Sequence, residues 1–258
     1  MKVSVLAENT SCSPSFGCEH GLSLHIEING HRILFDMGQT TLFADHAEKL
    51  GVDLSRVDHA VLSHGHYDHG GGLRRFLQLN DHAPVYLSRF AFEPHYNGEG
   101  KYIGLDTDLM KSDRFVFIGE EYEITEGIAL YSCNDRKKVQ RIDCAGLSAE
   151  RDGRRIPEDF RHEQYLLISE NKKRILVSGC SHKGIVNIMN WFHPDVLIGG
   201  FHLMKMPMGN PLADLARELD AFDTAYYTCH CTGAGQYAYM KPYMKNLHYL
   251  SAGQTIVI

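Results

Sequence analysis

The chain has 258 residues, 43% of them hydrophobic and 22% charged, with a formal net charge of -6, which is enough for one large domain with a substantial core. The acidic balance argues against a nucleic-acid surface, which usually carries a basic stripe, and no apolar run reaches the ~18 residues that a membrane span requires. Neither a secretory signal pattern nor zinc-ribbon spacing among the seven cysteines is visible, so a cytoplasmic protein with reduced thiols is expected.

A strand is predicted over Lys2 to Leu6, followed by an irregular loop from Asn9 to His20 and two strands, Leu22 to Ile28 and Arg32 to Phe35. Asn29-Gly30 between those strands is a strong hairpin signal, because both residues accept the positive φ of a type I′ turn. Thr40 or Thr41 can cap a helix that runs to about Leu50, with Gly51 as its stop. The apolar run Val57 to Ser63 reads as a buried strand, Leu73 to Leu79 as a short helix and Pro84 to Leu87 as a strand. From residue 88 to about 160 the pattern loosens, with strands only at Phe115 to Ile118 and Ile128 to Tyr131, and this stretch is expected to be an irregular insert or lid over the site.

Order returns in strands Tyr165 to Ser169 and Arg174 to Ser178, a helix from Gly184 to Phe192, a strand Asp195 to Ile198, a helix Leu212 to Phe222, and strands Ala225 to Thr228 and Thr255 to Ile258. Alternating strands and helices place the chain in the α/β class, as a single domain over 1–258.

Chemistry concentrates at residues 64–69, His-Gly-His-Tyr-Asp-His, followed by Gly70, Gly71 and Gly72. Imidazoles and a carboxylate on a sharp turn after a strand suit zinc, iron or manganese. The same arrangement of strand end and histidine-bearing turn recurs at His182, His202 and His230, and sites in layered α/β folds form where strand ends converge. Asp36 is a candidate to hold a ligand imidazole by its far N–H, and His20 a candidate to face the site from the opening loop.

These blocks carry a family resemblance. The turn His64, His66, Asp68, His69, together with Glu19-His20-Gly21-Leu22-Ser23, Ile33-Leu34-Phe35-Asp36, Gly179-Cys180-Ser181-His182, Gly199-Gly200-Phe201-His202-Leu203 and His230-Cys231-Thr232-Gly233, resembles the metallo-β-lactamase superfamily, in particular its dihydropterin–ribofuranosylaminobenzene phosphate synthase-like branch. The resemblance implies a four-layer αββα sandwich holding one or two divalent ions, zinc first, with iron or manganese as alternatives. It implies that His64 and His66 bind a first metal, that Asp68, His69 and His230 bind a second, and that His182 supplies the third ligand of the first. Cys180 stands where a bridging aspartate is usual, as a thiolate ligand or a neighbour.

The expected activity is metal-dependent hydrolysis of a small anionic phosphorylated or ester-type metabolite by metal-activated hydroxide, phosphodiesterase-like, with Asp68 orienting the nucleophile and His202 stabilising charge or protonating the leaving group. Two other classes stand beside it: a transferase joining a pterin to an arylamine riboside phosphate, and a non-catalytic metal or ligand sensor. A redox di-iron role would require a carboxylate at position 65, which is glycine. Neither substrate identity nor oligomeric state leaves a mark in the sequence.

Overall fold

The computed structural model describes residues 1–258 as two compact units, each built on its own seven-stranded sheet. The first comprises Met1–Gly119, Cys144–Gln164 and Ser251–Ile258, and the second Glu120–Asp143 and Tyr165–Leu250.

In the first unit the strands run in the order Thr255–Val257, Lys2–Ala7, Ser23–Ile28, His31–Phe35, His59–Val61, Val85–Ser88 and Phe115–Ile118. The first four pair antiparallel and the last three join in parallel. The hairpin lies where Asn29-Gly30 calls for it, with φ of 50° and 82° at the two turn residues and Ile28 opposite His31. Helices Leu42–Lys49 and Leu73–Leu79 place Phe43, Leu73 and Phe76 in a core with Leu34, Leu62 and Leu87. Thr41 occupies the N-cap position of the first helix without a side-chain bond, and the Thr40 hydroxyl accepts the backbone N–H of Leu42 at 3.2 Å.

The second unit repeats the plan. Its order is Leu247–Tyr249, Ala225–Thr228, Val196–Gly199, Lys173–Val177, Tyr165–Glu170, Ile128–Tyr131 and Glu121–Thr125, parallel through the first four strands and antiparallel through the rest. Helices Ile185–Phe192 and Asn210–Asp220 form the crossovers between its parallel strands, as parallel pairing demands. At the end of Val196–Gly199 a Cβ on Gly199 would lie 1.9 Å from the Ser178 carbonyl oxygen, so only glycine lets these two strand ends approach.

Residues 88–160 differ from the irregular segment read from the sequence. They hold strands His95–Tyr96, Phe115–Ile118, Glu121–Thr125, Ile128–Tyr131, Ser148–Arg151 and Arg154–Pro157. The last two form a hairpin that pairs with His95–Tyr96 in a small three-stranded sheet of the first unit. Its turn is Asp152-Gly153, with φ of 51° and 70°, the same signal as Asn29-Gly30 in a more polar setting. Short, charged strands give little alternation to read.

The glycines after the histidine turn permit close packing of backbone on backbone. A Cβ on Gly71 would meet the Gln39 carbonyl oxygen at 2.1 Å, and one on Gly72 the Met37 oxygen at 2.2 Å. They let the turn lie against the Met37–Thr40 backbone. Gly71 has helical dihedrals (φ -62°, ψ -35°), so alanine there gains about 1 kcal/mol of helix propensity but incurs an overpacking penalty of about 1–3 kcal/mol. Because the obstructing atom is backbone, the penalty wins. Gly71→Ala is expected to lower thermal stability, and an unchanged or raised melting temperature would contradict this packing.

His46, fully buried, donates from Nδ1 to the Leu6 carbonyl at 2.8 Å and accepts the Gly17 N–H on Nε2 at 3.0 Å. Both nitrogens are committed to the neutral ring, and burial lowers its pKa from the ordinary 6.5. Its contribution to stability is full above that ordinary value and is lost as pH falls through the lowered one. Thermal unfolding followed from about pH 8 to pH 5 should show this acid-side loss, reduced in His46→Gln.

Candidate metal centre

Parallel pairing of His31–Phe35 with His59–Val61 puts Phe35 beside Val61 and continues through the Asp36 N–H to the Val61 carbonyl at 2.9 Å. The residues that follow the two strands therefore emerge side by side. Asp36, fully buried and at φ 57°, turns its carboxylate onto the start of the histidine turn. Its Oδ1 accepts the Ser63 N–H at 2.7 Å, and its Oδ2 accepts the Ser63 hydroxyl at 2.7 Å and the His69 Nδ1–H at 2.7 Å.

These bonds fix the tautomers of two imidazoles. His69 gives its Nδ1 proton to a carboxylate that can only accept, so the neutral ring carries its lone pair on Nε2. The Ser63 hydroxyl has one proton and spends it on Asp36, so the His64 Nδ1 at 2.8 Å must donate to that oxygen. His64 likewise presents Nε2 as a lone pair. Carboxylate–histidine support of this kind is the usual outer arrangement of metal-binding imidazoles.

The His64 ring lies 4.6 Å from that of His66 and 4.1 Å from that of His69, centroid to centroid. All three rings are buried. Asp68 sits on the short helix Tyr67–Gly70, its Oδ2 3.7 Å from His69 Nε2 and 3.3 Å from Nε2 of the exposed His20. Gly65, between the first two histidines, has no room for a side chain: a Cβ there would lie 2.0 Å from the Ala91 carbonyl oxygen. The first unit thus brings His64, His66, Asp68 and His69 together, with His20 at the edge. Neutral imidazoles and a carboxylate fit a divalent ion.

In the second unit the other anticipated residues follow three adjacent strand ends. His182 and His202 have ring centroids 4.3 Å apart. His202 and His230 take left-handed backbone, φ 54° and 49°, which turns each side chain sharply off its strand. Donor atoms of Cys180, His230 and Cys231 lie within 4.8 Å of one another, and the Cys231 sulfur accepts the His202 N–H at 3.3 Å. Cys231 was not singled out from the sequence as a donor; its place two residues after Cys229 gave no recognised spacing.

A further group was missed altogether. His95, Glu158 and His162, all buried, lie with His66 in a set whose donor atoms are within 4.8 Å of one another. Glu158 and His162 are four residues apart but His95 lies 63 residues before Glu158, so no local spacing announces the set.

The Asp36 network yields a direct expectation. Asn at position 36 must point its NH2 group at another donor, Ser63 or His69, so Asp36→Asn should weaken metal affinity roughly 10–100-fold and lower stability. Metal titration of the apoprotein against a chelator measures the first and thermal unfolding the second; unchanged affinity would remove Asp36 from its supporting role.

Comparison with known proteins agrees with this geometry. Residues 17–139 match the model of the metallo-β-lactamase superfamily. An uncharacterised protein of Methanocaldococcus jannaschii is 32% identical over 244 residues, covering 90% of each chain. The 7,8-dihydropterin-6-methyl-4-(beta-D-ribofuranosyl)-aminobenzene-5'-phosphate synthase of the same organism is 27% identical over 99% of this chain and 96% of its own. The crystal structure of a metal-dependent hydrolase of the β-lactamase superfamily superposes with a TM-score of 0.83 at 30% identity, covering 100% of this chain and 99% of that one. With the histidine turn, its carboxylate support and full-length similarity in agreement, the chain belongs to the metallo-β-lactamase superfamily and has its α/β fold.

Proposed function

We propose that the protein is a metal-dependent hydrolase of a small anionic metabolite, phosphorylated or ester-like, with phosphodiester cleavage as the favoured reaction. The observation that carries this reading is the Asp36 network, which leaves His64 and His69 with their lone pairs on Nε2 beside the Asp68 carboxylate. The similarity to a metal-dependent hydrolase over the full chain supports it. His64, His66, Asp68 and His69 are proposed as ligands in the first unit, and His182 and His230 in the second. Zinc is the proposed ion; the thiols near His230 favour it over harder cations.

A bound divalent ion would polarise an electrophile and lower the pKa of water to near ~7. The chain supplies the rest. Asp68 accepts a proton or hydrogen bond from the attacking group and keeps it oriented. His202, partly exposed and with its ring tilted 55° to that of His182, donates a proton to the leaving oxygen or a hydrogen bond to the charge that develops on the substrate. Exposed thiols at Cys12 and Cys18 suit a reducing compartment, the cytoplasm, and no helix is long and apolar enough to cross a membrane.

A second reading has its own support. The synthase of M. jannaschii, similar over nearly the whole chain, favours transfer between a pterin and an arylamine riboside phosphate. One panel separates the two. Metal-free protein is reconstituted with Zn²⁺, Mn²⁺ or Fe²⁺ and given a chromogenic phosphodiester; turnover is expected, abolished by chelation and reduced on the order of 10²-fold or more in Asp68→Asn. If no metal supports hydrolysis while the pterin and arylamine substrates are joined, the transferase reading replaces the hydrolytic one.

A further inference from the structure

Thr232 follows His230 and Cys231 on one turn and has no part in the chemistry proposed above, yet that turn holds the segment carrying His202. The two turns are docked backbone to side chain. The Phe201 N–H donates to Thr232 Oγ1 at 2.8 Å, the His202 N–H to the Cys231 sulfur at 3.3 Å and the Met204 N–H to the Cys231 carbonyl at 3.0 Å. On the other side the Gly200 N–H donates to the Gly179 carbonyl at 2.9 Å. A Cβ on Gly200 would run into the Cys231 sulfur, so docking this close needs glycine there.

The hydroxyl protons have a fixed direction. Thr228 Oγ1 lies 3.1 Å from the Gly199 carbonyl oxygen, which can only accept, so the single Thr228 proton is spent there. Thr228 and Thr232 are hydrogen-bonded through their Oγ1 atoms, and Thr232 must be the donor. The chain therefore runs from the Phe201 N–H through Thr232 and Thr228 to the Gly199 carbonyl: it leaves the Gly199–Phe201 turn and returns to it. Thr228 and Thr232 are fully buried and Phe201 nearly so, so each polar group depends on the next for its partner.

His202 is the next residue, and its φ of 54° is a left-handed conformation that a residue other than glycine keeps only where its surroundings over-determine it. The bonds from its own N–H and from that of Phe201 supply the constraint. Its ring stays partly exposed beside His182, centroids 4.3 Å apart. We propose that Thr232 and Thr228 are positioning residues for His202: their hydroxyl chain locks the Gly199–Phe201 turn and so holds the His202 ring where it can give a proton or a hydrogen bond to the substrate. The inference rests on the hydrolytic reading above and on the part His202 plays in it. Both threonines act through the backbone of the turn. Valine in place of Thr232 keeps the shape but leaves the Phe201 N–H without its acceptor, whereas serine keeps the hydroxyl.

A double-mutant cycle on phosphodiester turnover by the metal-reconstituted protein tests the lock. Thr232→Val should lower kcat roughly 10–100-fold, the size of loss that a small misplacement of a reacting group produces, with KM and the number of bound ions unchanged. Thr232→Ser should recover most of that loss. In a His202→Ala background the Thr232→Val change should cost nothing more, because the side chain it positions is gone. A loss of equal size with and without His202 would make Thr232 a general structural residue and overturn the proposal, as would full activity in Thr232→Val. A parent that turns over no phosphodiester with any metal instead sinks the hydrolytic reading, and the positioning role with it. Should Thr232→Val not fold, Thr228→Val breaks the chain one link further on, with Thr228→Ser as its rescue. Amide hydrogen exchange of the parent decides independently: the Phe201 N–H must be strongly protected, and rapid exchange there refutes the lock.

Discussion

One carboxylate organises the histidine turn. Asp36 takes three hydrogen bonds, two from Ser63 and one from His69, and through the Ser63 hydroxyl it dictates the proton position on His64 as well. A buried carboxylate is costly unless every lone pair facing protein is matched; here the matching groups are the backbone and side chain of Ser63 and the ring of His69. The cost of burying the charge and the order of the site are thus one arrangement. Strand register makes it available, since Phe35 and Val61 end together.

How much of this was legible follows from which signals are local. Asn29-Gly30 announces its hairpin because two adjacent residues accept positive φ, and the histidine turn announces itself because four donors fall within six positions. Asp152-Gly153 carried the same hairpin signal, yet its strands are short and charged and offered no alternation to confirm it. Asp36 was readable as a support because it ends a strand next to a metal-type turn. His95, Glu158 and His162 were not readable. They are joined only by pairing between two-residue and four-residue strands, and that pairing is a tertiary fact.

The two supports differ in kind. Asp36 acts at the strand ends and touches His69 directly, while Glu158 lies 2.7 Å from Nδ1 of His95, beside the small three-stranded sheet. Each places a carboxylate oxygen 2.7 Å from a buried imidazole Nδ1. The second unit shows thiols and left-handed histidines at the equivalent strand ends, a softer donor set than the first unit's imidazoles and carboxylate. The motif at 64–69 thus offers only imidazole and carboxylate donors, while the second unit's set contains thiols.

The absence of a side chain at position 65 has an evolutionary consequence. With the Ala91 carbonyl oxygen 2.0 Å from where a Cβ would stand, and with the Gly65 N–H engaged by His162, no single codon change can add a carboxylate to this turn without displacing the Ala91 backbone. A carboxylate at position 65 would need the segment around Ala91 to be rebuilt with it. The turn as packed therefore offers three imidazoles and one aspartate, with no room for a further side chain between the first two histidines.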